Sequence, residues 1–109
     1  MNIKMLTAIL KELPPDTVFK LGFANPHSYR GYYHQLGLEP LDDVKVTTMI
    51  EALEDANGNT YHGWKGGEYL MGDETTCYLA NEGNIGPMIA GVAITQDIGG
   101  SLQYSLVVS

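Results

Sequence analysis

The stretch NIKMLTAILKELPPDTVFKLGF, residues 2–23, holds a helix, its stop and a strand in one run. Ile3, Leu6, Ile9, Leu10 and Leu13 recur at three- and four-residue spacing, with Lys4, Lys11 and Glu12 elsewhere on the turn, so the periodicity predicts an amphipathic helix over 2–13. Pro14-Pro15 stops it, because a proline removes an amide donor and pushes the residue before it out of the helical region. Asp16-Thr17 then turns the chain into Val18–Phe23, where Val18, Phe19, Leu21 and Phe23 predict a strand interrupted only by Lys20 and Gly22. A helix followed at once by a strand gives the chain both element types, and the order of the remaining elements sets the class.

Working outward, Ala24–Gly31 reads as a loop, punctuated by Asn25-Pro26 and Gly31. Tyr32, His34, Leu36 and Leu38 alternate with Tyr33, Gln35 and Gly37, which predicts a second strand over 32–38, ended by Glu39-Pro40. A second helix is expected from about residue 46 to Asp55, with Met49, Ile50 and Leu53 inward and capping-box spacing between Thr48 and Glu51. Asp42-Asp43 is read as flanking its N-terminus, and Asn57-Gly58-Asn59 as its C-terminal close. Short strands are expected at 60–64, 68–71, 76–80, 89–95 and 102–108, the last two joined through Gln96-Asp97 and Gly99-Gly100. The expectation is one α+β domain over residues 1–109: two helices packed on a mostly antiparallel sheet, ending in a C-terminal β-hairpin.

The charge balance narrows the partners. Six Lys+Arg against 13 Asp+Glu give a net charge of −7 in 109 residues, which argues against bulk nucleic acid and anionic membranes. All six bases lie in residues 1–65, leaving residues 66–109 with five acids and no base. Asp73, Glu74 and Glu82 in that second half are either a solvated face or a docking face for a basic partner. The single Cys77 precludes an internal disulfide, no signal peptide is read at Met1–Met5, and no apolar run reaches the roughly 18 residues of a membrane span. The expectation is a soluble, cytoplasmic protein.

Two segments combine glycine, aromatic residues and scarce bases: His27-Ser28-Tyr29-Arg30-Gly31-Tyr32-Tyr33 and Tyr61-His62-Gly63-Trp64-Lys65-Gly66-Gly67-Glu68-Tyr69. Glycines can turn backbone amides toward an anion, and an adjacent Arg or Lys supplies the charge. Tyr29, Tyr33 and Trp64 offer faces for a flat ring. The expected ligand site comprises His27, Ser28, Tyr29, Arg30, Tyr33, Trp64, Lys65, Gly66 and Gly67. The alternative is that both segments are structural loops, with Arg30 paired to Glu39 or Glu68. Neither contains a phosphate-loop or dinucleotide fingerprint. His27, His34 and His62 lack metal-ligand spacing, and Cys77 lies in an apolar alternation that predicts an inert thiol. No catalytic residue, metal or cofactor is assigned. Glu68 with His27 or His62 is the one acid–base set that an enzymatic reading could use.

The segments Asn25-Pro26-His27-Ser28-Tyr29-Arg30-Gly31-Tyr32-Tyr33 and Gly63-Trp64-Lys65-Gly66-Gly67-Glu68-Tyr69-Leu70-Met71, with Leu13–Thr17 and Leu38-Glu39-Pro40, carry a resemblance. The chain resembles a family of small, mostly uncharacterised tailed-bacteriophage proteins over about residues 1–90, with the C-terminal hairpin as an addition. The resemblance implies a phage origin, action in the host cytoplasm and a counter-defence role, and it supplies no catalytic residues. The expected function is non-enzymatic sequestration of a small nucleotide-derived anionic signal, in a pocket expected at a homo-oligomer interface. Alternatives are an acidic inhibitor of a basic defence protein through Asp73, Glu74 and Glu82, and a small nucleotide hydrolase.

Overall fold

The computed structural model describes all 109 residues. Its elements run α1 (Ile3–Lys11), β1 (Val18–His27), β2 (Leu36–Lys45), α2 (Val46–Ala56), β3 (Thr60–His62), β4 (Glu68–Leu70), β5 (Cys77–Asn81), β6 (Asn84–Gln96) and β7 (Leu102–Val108). The α+β class and the two helices stand as expected. The sheet differs: β1-β2-β5-β6-β7 close into a barrel, while β3 and β4 form a separate two-stranded sheet. Within the barrel β1/β2, β5/β6 and β6/β7 are antiparallel, whereas β2/β5 and β1/β7 are parallel. β6 and β7 are thus staves that close the barrel rather than an addition beside it. No helix is long and apolar enough to cross a membrane.

One core of 18 buried residues unites the helices with the barrel. α1 contributes Ile3, Leu6 and Leu10, and α2 contributes Val46, Met49, Ala52, Leu53 and Ala56, each set on one helical stripe. Phe19 and Phe23 of β1 meet them from the sheet side. Gly22 sits where a side chain would collide with Val44 and Met49, so its lack of a Cβ lets α2 lie close on β1.

The helix starts are capped in two ways. At α1 the Asn2 side chain accepts from the Met5 amide, and the Thr75 and Asp73 carbonyls accept from Ile3 and Lys4. At α2 the expected capping box is absent: Lys45 is the N-cap and makes no side-chain cap bond. Instead the carbonyl of buried Thr17 accepts the Val46 amide at 2.8 Å. The helix begins directly from β2, two residues before Thr48, so that residue never reaches the cap position. Asp42 and Asp43 belong to β2, with Asp43 at φ 53. At the C-terminus Gly58 takes the left-handed conformation, φ 81, as the Asn-Gly-Asn sequence implies.

The other corrections lie between residues 24 and 45. Ala24–His27 continue β1 and are not a loop, while Tyr32–Gln35 form turns instead of the expected strand. Tyr32 and Gln35 amides bond back to the Tyr29 and Tyr32 carbonyls, and β2 starts only at Leu36. Pro40 lies inside β2, paired with Phe23. Proline is tolerated there because β5 accompanies β2 only over Leu36–Leu38, leaving that edge free of ladder bonds. Pro26 is tolerated for the same reason, since β7 meets β1 only at Phe19 and Leu21.

Candidate functional site

The two glycine-aromatic segments meet. A cavity of about 340 Å³ is lined by Arg30, Gly31 and Tyr33 from the β1–β2 connection and by Gly63, Trp64, Lys65, Gly67 and Tyr69 from the β3–β4 sheet. β3 and β4 pair antiparallel, Tyr61 opposite Tyr69 and His62 opposite Glu68, which projects the 63–67 turn toward residues 30–33. Tyr33 joins the segments twice. The Tyr33 and Tyr69 rings stack at 4.8 Å, and the Tyr33 hydroxyl accepts the Trp64 amide at 2.8 Å. His34 closes on the edge of Tyr69 at 4.9 Å.

Trp64 is the centre of the charge. The Arg30 guanidinium carbon lies 4.5 Å from the indole centroid and the Lys65 ammonium 5.9 Å from it. Such cation–π contacts are worth about 0.5–1 kcal/mol at exposed sites, enough to bias both side chains toward the ring. Neither Arg30 nor Lys65 has a carboxylate within 4.0 Å, so the expected alternative pairing of Arg30 with Glu39 or Glu68 does not occur. Trp64 itself is 67% exposed. Two uncompensated positive groups therefore flank an open aromatic face in a chain of net charge −7.

The turn's backbone contributes less than expected. The Gly63 amide donates to the Gly67 carbonyl, the Gly66 amide to the Gly63 carbonyl and the Trp64 amide to Tyr33, so these three are not free to face an anion. Gly66, at φ 87, forms the turn without lining the cavity.

His27, Ser28 and Tyr29 also lie outside the cavity and make a separate cluster. Asn25 takes φ 44 at a β-bulge, which re-aims the strand so that Asn25 and His27 converge on Glu39. His27 Nε2 lies 2.6 Å from one Glu39 oxygen, and the Asn25 amide donates to the other at 3.1 Å. An ionised carboxylate only accepts, so Nε2 carries the proton. The hydrogen bonds from Asn25 and then His27 hold the Glu39 carboxyl below its ordinary range. Tyr29 stands 5.6 Å from His27, its hydroxyl pushed up by burial and then by Glu39, and its ring fills the space where a side chain on Gly37 would stand. The Ser28 hydroxyl is buried with no partner.

The remaining sequence candidates are dispersed. Cys77 is buried, and desolvation pushes its thiol up to about 12, which leaves it inert at neutral pH. His62 and Glu68 approach to 3.7 Å across β3/β4 on an exposed surface. Asp73 accepts from Asn57 beside α1, with Glu74 next to it, while Glu82 occupies the β5–β6 turn at φ 50. The five residues of β5 lie between them, ~16 Å at about 3.3 Å per residue, so Glu82 stands apart from the Asp73–Glu74 pair.

Three lining residues escaped the sequence reading of the site, Gly31, Gly63 and Tyr69, and His34 stands behind them against the edge of Tyr69. The signal for Tyr69 was present in the Tyr61/Tyr69 spacing around a glycine-rich turn, which brings both rings back to one small sheet. Compared with protein families, curated proteins and solved structures, the chain matches none.

Proposed function

We propose that the chain is a non-enzymatic, phage-type binding protein that sequesters a small nucleotide-derived anionic signal in the host cytoplasm. The observation that carries this reading is the convergence of Arg30 and Lys65 on Trp64, with no carboxylate neutralising either. Arg30 supplies a planar fork for a phosphate, Lys65 a second charge, and the indole with the Tyr33–Tyr69 pair supplies flat apolar surface for a base. The volume of about 340 Å³ stands at the low end of the roughly 300–1,000 Å³ typical of small-molecule sites, which favours a mononucleotide-sized ligand. His62 and Glu68 offer no buried or oriented acid–base pair at the rings, so capture rather than turnover suits the site.

Trp64 is the chain's one tryptophan and reports the site directly. A panel of mono-, cyclic and dinucleotides is titrated against tryptophan fluorescence and thermal melting. The expected result is a saturable fluorescence change and a raised Tm with a mononucleotide-sized phosphate ligand. Arg30→Ala weakens binding by about tenfold or more, as loss of a charged hydrogen bond of ~1.5–3 kcal/mol implies. No response to any member of the panel sinks the reading. A new product peak on chromatography replaces it with the hydrolase alternative.

A further inference from the structure

The ribbon made by β6 and β7 outruns its neighbours. β5 accompanies β6 only as far as Met88, and β1 meets β7 only at Tyr104 and Ser105. Beyond those pairings Ile94–Gln103 are exposed, in a molecule 53 Å long but only 24 and 18 Å across. The ribbon's core-facing stripe continues outward with it. Val92/Leu106 and Ile94/Tyr104 are cross-strand pairs of one face; Leu106 is buried, and Val92 and Tyr104 pack against the core. The next members, Ile94 and Leu102, are 53% and 55% exposed, and Ile98 at the tip is fully exposed.

The backbone is open along the same segment. The Asp97 amide bonds to the Ser101 carbonyl, so Thr95:Gln103 and Ala93:Ser105 are the hydrogen-bonded pairs of the ladder. Val92, Ile94 and Gln96 therefore aim their N–H and C=O groups away from β7, toward an edge with no strand on it. That edge has no proline after Pro87, and Asp97 is the one charge between Gly83 and Ser109. Natural sheet edges of this length ordinarily carry a charge, a proline or a cover.

We propose that this edge pairs with the same edge of a second copy, antiparallel about a two-fold axis through Ile94. In that register Val92 faces Gln96 of the partner copy and Ile94 faces Ile94, so every outward amide and carbonyl of the three residues finds its complement. Charge sets where two copies can meet. Two chains of net charge −7 repel over most of their surfaces, and the nearly uncharged ribbon is where they approach without that cost. An isologous contact also closes on itself and leaves a four-stranded ribbon with β7 strands at its borders.

Sedimentation velocity from low to high micromolar, at low and moderate salt, tests this. The expected result is a concentration-dependent dimer that strengthens as salt screens self-repulsion. Ile94→Pro removes one outward N–H without touching the β6–β7 ladder, and Ile94→Lys places like charges on the axis; each weakens the dimer by about tenfold or more. Ile94→Cys forms an intermolecular disulfide under mild oxidation, because Cys77 is buried and the axis brings the two new thiols together. Gln103→Cys, on the strand away from the axis, does not. A monomer at all concentrations overturns the proposal. So does a dimer that is indifferent to Ile94→Pro and Ile94→Lys and leaves Ile94→Cys uncrosslinked.

Discussion

At the scale of single residues, Glu39 is the most constrained exposed acid, held by Asn25 and His27. Its carboxyl is lowered in the fold relative to the ordinary value of 4.5. A lowered acid stabilises the fold above its unfolded value, and that contribution is lost as pH falls through the folded one. Thermal melts from neutral pH downward should therefore show Tm falling below about pH 4.5, with Glu39→Gln flattening part of the slope. An unchanged slope in the variant would show that the three-residue cluster is thermodynamically idle. The same cluster marks how far the sequence could be read. His27 and Arg30 share one segment of glycine, aromatics and scarce bases, yet the bulge at Asn25 turns His27 onto Glu39 while Arg30 continues to Trp64. Linear proximity carries no information about a bulge, and Asn25-Pro26 reads equally as a loop.

At the scale of elements, α1, α2 and β7 were legible because a periodic apolar stripe of several turns, or a clean alternation, is specified within each element. β2 was not. Its pattern was displaced because Tyr32 and His34 mimic an alternation, and Pro40 mimics a stop that holds only where both edges are paired. The barrel was also hidden, since its closing pairs β2/β5 and β1/β7 are parallel and non-local. The β3–β4 sheet is short, three residues a strand, and a lone pair of this kind is marginal by itself. Tyr33 bridges it to the body through ring and hydroxyl. Tyr33→Phe keeps the stack and removes the acceptor for the Trp64 amide, so the turn loosens. The expected outcome is a loss of about 1 kcal/mol in ligand affinity with a Tm nearly unchanged. Titration of tryptophan fluorescence beside a melting curve separates the two effects; a large fall in Tm with affinity intact would reverse this assignment.

At the scale of the whole molecule, the charge of −7 acts in two opposed directions. Self-repulsion destabilises the compact state, while the local field at Arg30 and Lys65 attracts an anion. Moderate salt should thus raise the Tm of the free protein while weakening nucleotide capture. Differential scanning and fluorescence titrations over the same salt series measure both, and parallel trends would contradict this separation. Here the composition was informative in total and misleading in detail. It excluded a broad basic footprint, yet it carried no sign that Glu82 would stand at the β5–β6 turn, a strand's length from Asp73 and Glu74.

Closure of the barrel has a temporal side. Phe19 and Leu21, near one end of the chain, pair with Tyr104 and Ser105 near the other. During synthesis the helices and the β1–β2 pair can form early, from contacts close in sequence. The last seam must wait until β7 has left the ribosome, since loop-closure entropy has to be met before so remote a pairing gives anything back. Until then β1 keeps an open flank, with Phe19 lacking the Tyr104 ring that comes to stand beside it. Folding should accordingly finish in one late, slow step, and the unsealed chain is the state in which association with the wrong partner is most costly.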